Sequence, residues 1–245
     1  MHAALRDLAV CTWIDEPGEA RHAVVPDACI DIVWDGRRLE VAGPDTRPFP
    51  LDRTATFVGI RFRPGAAPRV LGVDACDLLD LNVGLRDLWG PVADELATQL
   101  AEAGSQAGVG LLERAVLTRA AAAQPDRLIT GLLGLLSGGA ALDGLAETLG
   151  VSERTLRRRC VTAVGYGPKM LERVLRFRRA LGLIRACVPL VQIAPLAGYA
   201  DQAHLTNEFQ RLAGATPGHL SRQPHVPMSS NGLSWSVRGR GSDYG

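Results

Sequence analysis

Three arginines at helical spacing are the first residues in this chain whose types and positions suggest a chemistry. Arg154, Arg157 and Arg158 stand at i, i+3 and i+4, which places their guanidinium groups on one face of a helix. Guanidinium groups bind guanine edges and phosphates, while amide side chains such as those of Gln202 and Asn207 bind adenine. The residue types therefore indicate contacts to a nucleic acid.

Two stretches that repeat each other hold these side chains in place. Apolar residues at i, i+3, i+4 and i+7 form the stripe of a short helix, and the same spacing recurs 48 residues later. The two stripes are Leu142, Leu145, Ala146 and Leu149, then Leu190, Ile193, Ala194 and Ala197. Each stripe runs into a glycine, which can end a helix in the left-handed conformation, and then into an N-cap residue. These residues are Gly150 and Ser152 in the first copy and Gly198 and Asp201 in the second.

Each N-cap begins a second helix with two apolar anchors at i, i+4, namely Leu156/Cys160 and Leu205/Phe209. The pattern predicts two helix–turn–helix units, in which the second helix presents its polar face to a DNA groove. Short amphipathic helices separated by a glycine also occur in other all-α domains, so a single unit would indicate little. Two copies at near-fixed spacing, with arginines on one exposed face, favour DNA binding.

Residues 131–222 resemble the DNA-binding domain of the AraC/XylS family of bacterial transcription regulators. The resemblance rests on LAETLGVSERTLRRR, on GYGPKMLERVLRFRRAL and, most specifically, on GYADQAHLTNEFQRLAGATPGHL. It implies a seven-helix domain whose two recognition helices enter successive major grooves on one face of double-stranded DNA. The family's base-contacting positions fall here on Arg154, Arg157, Arg158, Gln202, Ala203, Thr206 and Asn207.

Other polar residues near these positions are candidates for phosphate contacts. Arg211 is expected to reach phosphate, and His204 reads equally well as a phosphate contact or as a neutral surface histidine. A long helix from Pro168 to about Ala186 joins the two units, with Leu171, Val174, Leu175 and Leu181 as its buried stripe. Its five arginines, at 173, 176, 178, 179 and 185, are expected to contact phosphates or carboxylates rather than bases.

Two residues depart from the family pattern. Cys160 stands where the family usually has a large apolar residue, which predicts a smaller anchor and a looser first unit. Pro195 lies inside the first helix of the second unit, where it removes one backbone hydrogen bond. Both departures affect the expected geometry of DNA binding.

Charge divides the chain into two halves. Residues 1–130 hold 13 Arg and 19 acidic residues, a net charge of −6, whereas residues 131–245 hold 13 Arg, one Lys and 7 acidic residues, a net charge of +7. The basic half is the expected electrostatic footprint of nucleic-acid binding. The five cysteines have no metal-ligand spacing and are expected to be reduced thiols, with a redox sensor as the alternative. No signal peptide or membrane span is recognisable, which predicts a cytoplasmic protein that is associated with the nucleoid when bound to DNA.

The N-terminal half is predicted to be a small antiparallel β domain with added helices, which makes the chain α+β. The segment Cys29–Trp34 is β-prone, Asp35-Gly36 is a hairpin signal, and 54–62 alternates again. Helices are predicted near 66–74, over 85–100 with a break at Gly90-Pro91, and over 109–123, with a polar joint at 104–110. PDACIDIVWD, VGIRFRPGAAPRVLGV and LRDLWG resemble a cupin-like domain that precedes this type of DNA-binding domain in some regulators.

An enzymatic function is not expected of the N-terminal half. It has only His2 and His22 as histidines, no Gly-rich phosphate loop and no GxSxG, so the sequence predicts no catalytic residue, no metal site and no cofactor. Three arginines, Arg61, Arg63 and Arg69, flank the Pro64-Gly65 turn. We expect them to be solvated and paired with Asp74, Asp77 or Asp80. The alternative is that they form a site for an anionic effector or a docking patch. Trp34 and Trp89 are expected in the core, with a pocket lining as the alternative.

The expected organisation has three parts. Residues 1–124 form a sensor or oligomerisation domain, 125–222 the DNA-binding domain, and 223–245 a disordered tail. The expected function is a one-component regulator that binds a DNA operator, with RNA polymerase, a small-molecule effector and a second copy of the chain as further partners. The alternative is a constitutive DNA-binding co-regulator whose N-terminal domain only docks proteins.

Overall fold

The computed structural model describes residues 2–18, 22–51, 54–120, 124–221 and 234–236. A five-stranded antiparallel sheet forms the centre of the N-terminal half. Its strands lie in the order β1 (Ala9–Asp15), β6 (Phe57–Phe62), β3 (Asp31–Trp34), β4 (Leu39–Ala42) and β7 (Asn82–Gly84). β3 and β4 form the predicted hairpin, in which Trp34 pairs with Leu39 and Gly36 takes a φ of +89°. The expected α+β class, with an antiparallel β domain first, is therefore confirmed, while its cupin-like character stays a prediction.

A second, three-stranded sheet has the order β5 (Phe49–Leu51), β2 (His22–Val24) and β8 (Ser234–Ser236). β8 comes from the segment that the composition predicts to be a disordered tail. For these three residues the structure differs from that prediction, because they pair antiparallel with His22–Val24. The rest of 223–245 lies outside the described residues.

Helices cover one face of the five-stranded sheet. They are α1 (Pro68–Leu71), α2 (Leu85–Trp89) and α3 (Pro91–Ala120), with 3-10 turns at Ala3–Leu5 and Ala75–Leu78. The break at Gly90-Pro91 is confirmed. The predicted joint at 104–110 is wrong in its extent, since only Gly104 leaves helical geometry, at φ 71° and ψ 168°. Trp34 and Trp89 both belong to the core between the sheet and these helices, as preferred from the sequence.

Arg61 contradicts the expectation of a solvated arginine paired with Asp74, Asp77 or Asp80. It is only 5% exposed, and its Nε and Nη2 donate to the Asp31 carboxylate at 2.9 and 2.6 Å. Its Nη1 lies 3.2 Å from Asp27 Oδ2. The reason is that β6 is flanked by β1 and β3 and is covered on both faces, so that Val58 to Phe62 are all buried.

The C-terminal half contains seven described helices, the number that the family resemblance implies. They are α4 (Arg127–Ser137), α5 (Leu145–Thr148), α6 (Glu153–Val164), α7 (Pro168–Arg185), α8 (Leu190–Ala197), α9 (Gln202–Ala213) and α10 (Pro217–Ser221). α7 contributes to two separate apolar cores. Leu171, Val174 and Leu175 pack with α4–α6, whereas Phe177, Ala180, Leu181 and Ile184 pack with α8–α10.

The two halves are in contact through the segment between β2 and β3. Val25 packs into the core of α8–α10, and Ala28 packs into the core of α4–α6. Arg178 of α7 donates from Nη1 to the Asp27 carbonyl at 2.9 Å. This segment therefore touches both cores of the C-terminal half. The domain limits at 124/125 and 222/223 stay predictions.

No helix within the described ranges is long and apolar enough to cross a membrane.

Candidate nucleic-acid interface

The first unit consists of α5, a turn and α6. Gly150 ends the first helical segment with a φ of +69°, and Ser152 caps α6 by accepting a hydrogen bond from the Thr155 amide at 3.2 Å. The anchors Leu156 and Cys160 are buried at 3% and 0% exposure. Because the anchors fix one side of α6, the other side points outward, and Arg154, Arg157 and Arg158 are all exposed.

The second unit consists of α8, a turn and α9. Gly198 caps α8 in the left-handed conformation, and Asp201 caps α9 by accepting from the His204 amide at 2.7 Å. The anchors Leu205 and Phe209 are buried, and the Phe209 ring meets Phe177 of α7 edge-on, with ring centroids 4.7 Å apart.

The outer side of α9 carries the candidate DNA-contacting residues predicted from the sequence. Four of them are exposed, and two are half-buried: the exposed set is Gln202, Ala203, Asn207 and Arg211, and the half-buried set is His204 and Thr206. The Thr206 hydroxyl donates to the Gln202 carbonyl at 2.8 Å, and the His204 ring packs edge-on against Tyr199. Their assignment as DNA contacts remains a prediction.

Several α7 arginines hold the C-terminal domain together rather than facing outward. Arg179 donates to the carbonyls of Leu136, Ser137 and Ala197, and Arg176 donates to that of Gly198. These carbonyls lie at the ends of α4 and α8, where a helix leaves its last acceptors unpaired. Arg176 and Arg179 therefore bond to main-chain carbonyls, and their expected contacts to phosphate stay a prediction.

The carboxylate of Glu208 links α7 to α9. Glu208 is 4% exposed and accepts from Arg173 at 2.9 Å and from Arg211 at 3.2 Å. Burial would raise the pKa of Glu208, but the hydrogen bonds and charges of Arg173 and Arg211 lower that pKa below its usual value. Arg173 thus meets the predicted carboxylate, and the charge of Arg211 is partly neutralised inside the domain.

The two departures from the family pattern are accommodated without breaking either unit. Cys160 is fully buried, with Sγ 3.2 Å from the Tyr166 carbonyl, and burial raises the pKa of its thiol to about 12. Pro195 lies on the exposed side of α8, which continues as a helix to Ala197.

The sequence reasoning missed Lys169. It is exposed at the start of α7 and lines the same surface depression as Arg154 and Arg157. It is the only lysine in the sequence and directly follows Pro168, which opens α7, so its position could have identified it as a further cation near α6. The reasoning also missed that Arg159, the fourth arginine of α6, pairs with Asp126 at 2.7 Å while its side chain stays 47% exposed.

Comparisons with known proteins agree with this geometry. Residues 145–223 match the model of a family described as a helix-turn-helix domain, and residues 2–84 match a domain of unknown function, DUF6597. A putative AraC-like transcription regulator of Streptomyces lividans is 36% identical over 86 residues, which are 34% of this chain and 28% of that protein. The HTH-type transcriptional regulator RipA of Corynebacterium glutamicum is 35% identical over 100 residues, which are 37% of this chain and 30% of that protein. The chain thus spans less than a third of the length of these two relatives.

Solved structures of ToxT from Vibrio cholerae share a distant similarity. The structure from strain O395 has a TM-score of 0.45 at 8% identity and covers 88% of this chain and 97% of that one. An apo variant from strain SCE256 has a TM-score of 0.42 at 11% identity, with 86% and 92% covered. No conclusion about ligands or activity follows from similarity at this level.

The C-terminal half is a helix–turn–helix domain. This part of the chain is similar to AraC-like and other helix–turn–helix transcription regulators, in agreement with the resemblance in its sequence. Both relatives are named as transcription regulators.

Proposed function

We propose that this protein is a transcription regulator that binds a DNA operator through both helix–turn–helix units, under the control of its N-terminal domain. The observation that carries the proposal is the same in both units. A capped helix buries two apolar anchors and turns a polar face outward, and that face holds guanidinium or amide side chains suited to base edges.

The two recognition helices differ in charge, and we infer that they contribute differently. α6 exposes four arginines, of which only Arg159 has a carboxylate partner among the described residues, and Lys169 is exposed beside them. Residues 190–221 contain a single Arg or Lys, Arg211, which is paired with Glu208. Cations supply phosphate contacts and the salt dependence of binding, while neutral amides contribute hydrogen bonds to bases. The first unit therefore provides most of the electrostatic affinity, and the second provides selectivity through Gln202 and Asn207.

The length of α7 suits two units that read neighbouring grooves. Its 18 residues span about 27 Å at 1.5 Å per residue, close to the roughly 34 Å that separate successive turns of B-DNA.

RNA polymerase and a second copy of the chain stay proposed partners of the bound regulator, and an effector acts through the N-terminal domain. Whether binding to the operator activates or represses the promoter is measured separately, in a transcription assay.

The test is binding of the full chain to a duplex obtained by selection from random DNA, measured by fluorescence anisotropy over a range of salt concentrations. Arg157→Ala is expected to weaken specific binding by about 1–3 kcal/mol and to lower the salt slope by about one if it contacts phosphate. Asn207→Ala is expected to weaken binding to the selected sequence and leave the salt slope unchanged. Arg86→Ala is the matched control, since Arg86 is an exposed arginine of the N-terminal half.

The outcome of this comparison separates the alternatives. Equal effects of Arg157→Ala and Arg86→Ala would remove α6 from the interface. A salt slope that falls equally in Asn207→Ala would contradict the division of roles between the two units. Specific binding that no N-terminal variant and no small molecule modulates would favour the constitutive co-regulator.

A further inference from the structure

A cleft of about 710 Å³ opens between the two halves of the chain. One wall comes from the N-terminal half, at Arg6–Asp7 and at the turn from Arg63 to Ala66. The other wall comes from α4 and from Leu175 and Arg178 of α7. The volume is within the range of about 300–1,000 Å³ that is typical of small-molecule sites.

Four arginines line this cleft. Arg6, Arg63 and Arg69 come from the N-terminal half, and Arg178 comes from the DNA-binding half. Arg63 donates from its Nε to the Arg6 carbonyl at 2.6 Å, and Arg69 donates from Nη2 to the Asp7 carbonyl at 3.1 Å. A guanidinium has five N–H donors, so each keeps donors for another acceptor.

Arg69 has an unmet requirement for such an acceptor. Its Nε is buried and has no hydrogen-bond partner among the described residues. Burial also lowers the pKa of Arg69, against the opposing charge of Asp7. A buried donor without a partner costs free energy, which an incoming acceptor recovers when the Arg69 side chain turns its Nε toward the cleft.

The acidic side chains of the cleft do not cancel the four positive charges. They are Asp7 and Asp126, and the Asp126 carboxylate is already used. It caps α4 by accepting from the amides of Leu128 and Ile129, and it pairs with Arg159 at 2.7 Å. The cleft therefore keeps a positive potential that favours an anion.

The remaining lining is largely apolar. Val10, Pro64 and Ala66 lie on one side, and Ile129, Leu133 and Leu175 lie on the other. We propose that this cleft binds a small organic anion, a carboxylate or phosphate ester with an apolar body, whose charged group is held by Arg63 and Arg69 and whose body lies against α4. The lining matches the usual pattern of an apolar pocket with a few convergent polar groups.

A ligand in this cleft touches both halves and therefore stabilises one arrangement of them. The halves already meet at its edge, where a Cβ on Gly65, at φ +78°, would come within 2.8 Å of Ile129 Cγ2. An effector can shift an equilibrium only by its difference in affinity for the two states. The anion is thus expected to change the affinity for DNA, a step that rests on the proposed function.

The experiment uses the full chain and two fluorescent probes of the same shape. 1-Anilinonaphthalene-8-sulfonate carries an anionic group, and N-phenyl-1-naphthylamine is its uncharged counterpart. Titration without DNA is expected to show tighter binding of the sulfonate. Arg69→Gln and Arg63→Gln are expected to weaken sulfonate binding by about tenfold each, as loss of a charge-assisted hydrogen bond implies, and to leave the neutral probe unaffected. Arg86→Gln is the control, and thermal melting checks that each variant is folded.

Three outcomes would overturn the proposal. They are no sulfonate binding at millimolar probe, equal binding of both probes, and sulfonate binding that is unchanged in both cleft variants. In a second arm, saturating sulfonate is expected to change the affinity for the selected duplex at least threefold in the wild type and not in Arg69→Gln. Because the first arm contains no DNA, failure of the anion site can be told apart from failure of DNA binding. A duplex that binds with equal affinity with and without the probe would contradict the regulatory step alone.

Discussion

Replacing Arg61 by methionine tests the buried ion cluster that joins β3 and β6. Arg61 binds Asp31 at 2.6 Å and Asp27 at 3.2 Å, and the three side chains are about nine-tenths buried. Methionine fills much of the same volume and removes the charge, so two carboxylates are left without their partner. Removing one member of a buried pair typically costs about 3–5 kcal/mol. For a chain of this size that cost lowers the melting temperature by roughly 10 °C.

The matched control is Arg86→Met. Arg86 and Asp94 are also 2.6 Å apart, but their side chains are 71% and 46% exposed. A solvent-exposed pair contributes about 0–1 kcal/mol, so the control is expected to lower the melting temperature by no more than a few degrees. The assay is thermal and urea unfolding of the full chain followed by circular dichroism. Similar losses in the two variants would refute the reasoning that burial, and not the contact distance, decides the cost.

The loss of stability in Arg61→Met is expected to depend on pH. Burial raises the pKa of Asp31 above its usual value, and Arg61 opposes that shift. Without Arg61 the pKa of Asp31 rises further. A carboxyl whose folded-state pKa is raised keeps its proton to a higher pH in the folded chain, so it costs stability as pH rises above the unfolded-state pKa. Arg61→Met is therefore expected to lose more unfolding free energy, relative to the wild type, at pH 8 than at pH 5. A loss that is independent of pH would contradict this.

Two further substitutions test other features. Burial, and then the charge of Asp80, raise the pKa of Asp45 to about 7. Between about pH 4 and 7 the folded chain therefore keeps the proton of Asp45 while the unfolded chain has lost it, and stability falls as the pH rises through this range. Asp45→Asn is expected to stabilise the protein at pH 8 by on the order of 1–2 kcal/mol after allowance for solvent screening, and to have little effect at pH 4; unfolding at both pH values measures this. Cys160→Phe restores the family's usual residue type in a site with 0% exposure, and overpacking is expected to destabilise the first unit by about 1–3 kcal/mol, measured by urea unfolding. A gain of stability in Cys160→Phe would show that the cysteine leaves an unfilled space.

The features that sequence reasoning predicted correctly depend on near neighbours. The caps Ser152 and Asp201 bond to amides three residues along the chain, and Gly198 ends α8 by its own conformation. The hairpin at Asp35-Gly36 is set by the turn itself. Such interactions can be predicted from a few neighbouring residues, which is why α6 and α9 and their exposed faces were predictable.

The features that it missed depend on residues far apart in the chain. Arg61 alternates with apolar residues, so the pattern predicts an outward-facing side chain. Its partner Asp31 is 30 residues away, and nothing in the local pattern shows that β6 is covered on both faces. Arg179 likewise looked available for phosphate, although its acceptors, Leu136 and Ala197, lie on two other helices. Contacts between residues far apart in the chain decide these roles, and the local pattern of a single sequence does not predict such contacts.

The segment between β2 and β3 brings the N-terminal half into direct contact with the apolar cores of both helix–turn–helix units. Val25 belongs to the core that supports α9, and Ala28 belongs to the core that supports α6. Between them, the Asp27 carbonyl accepts from Arg178 of α7, and the Asp27 carboxylate pairs with Arg61 of β6. Ala28 also takes a φ of +66°, a conformation that costs an alanine free energy and persists only where the surroundings hold it. Since Arg178 also lines the interdomain cleft, a ligand that displaces its guanidinium would loosen the hydrogen bond that ties this segment to α7. If the proposed anion binds in the cleft, we therefore expect its binding to change the positions of α6 and α9 through this short segment, and binding of DNA to α6 and α9 to change the affinity for the anion by the same factor.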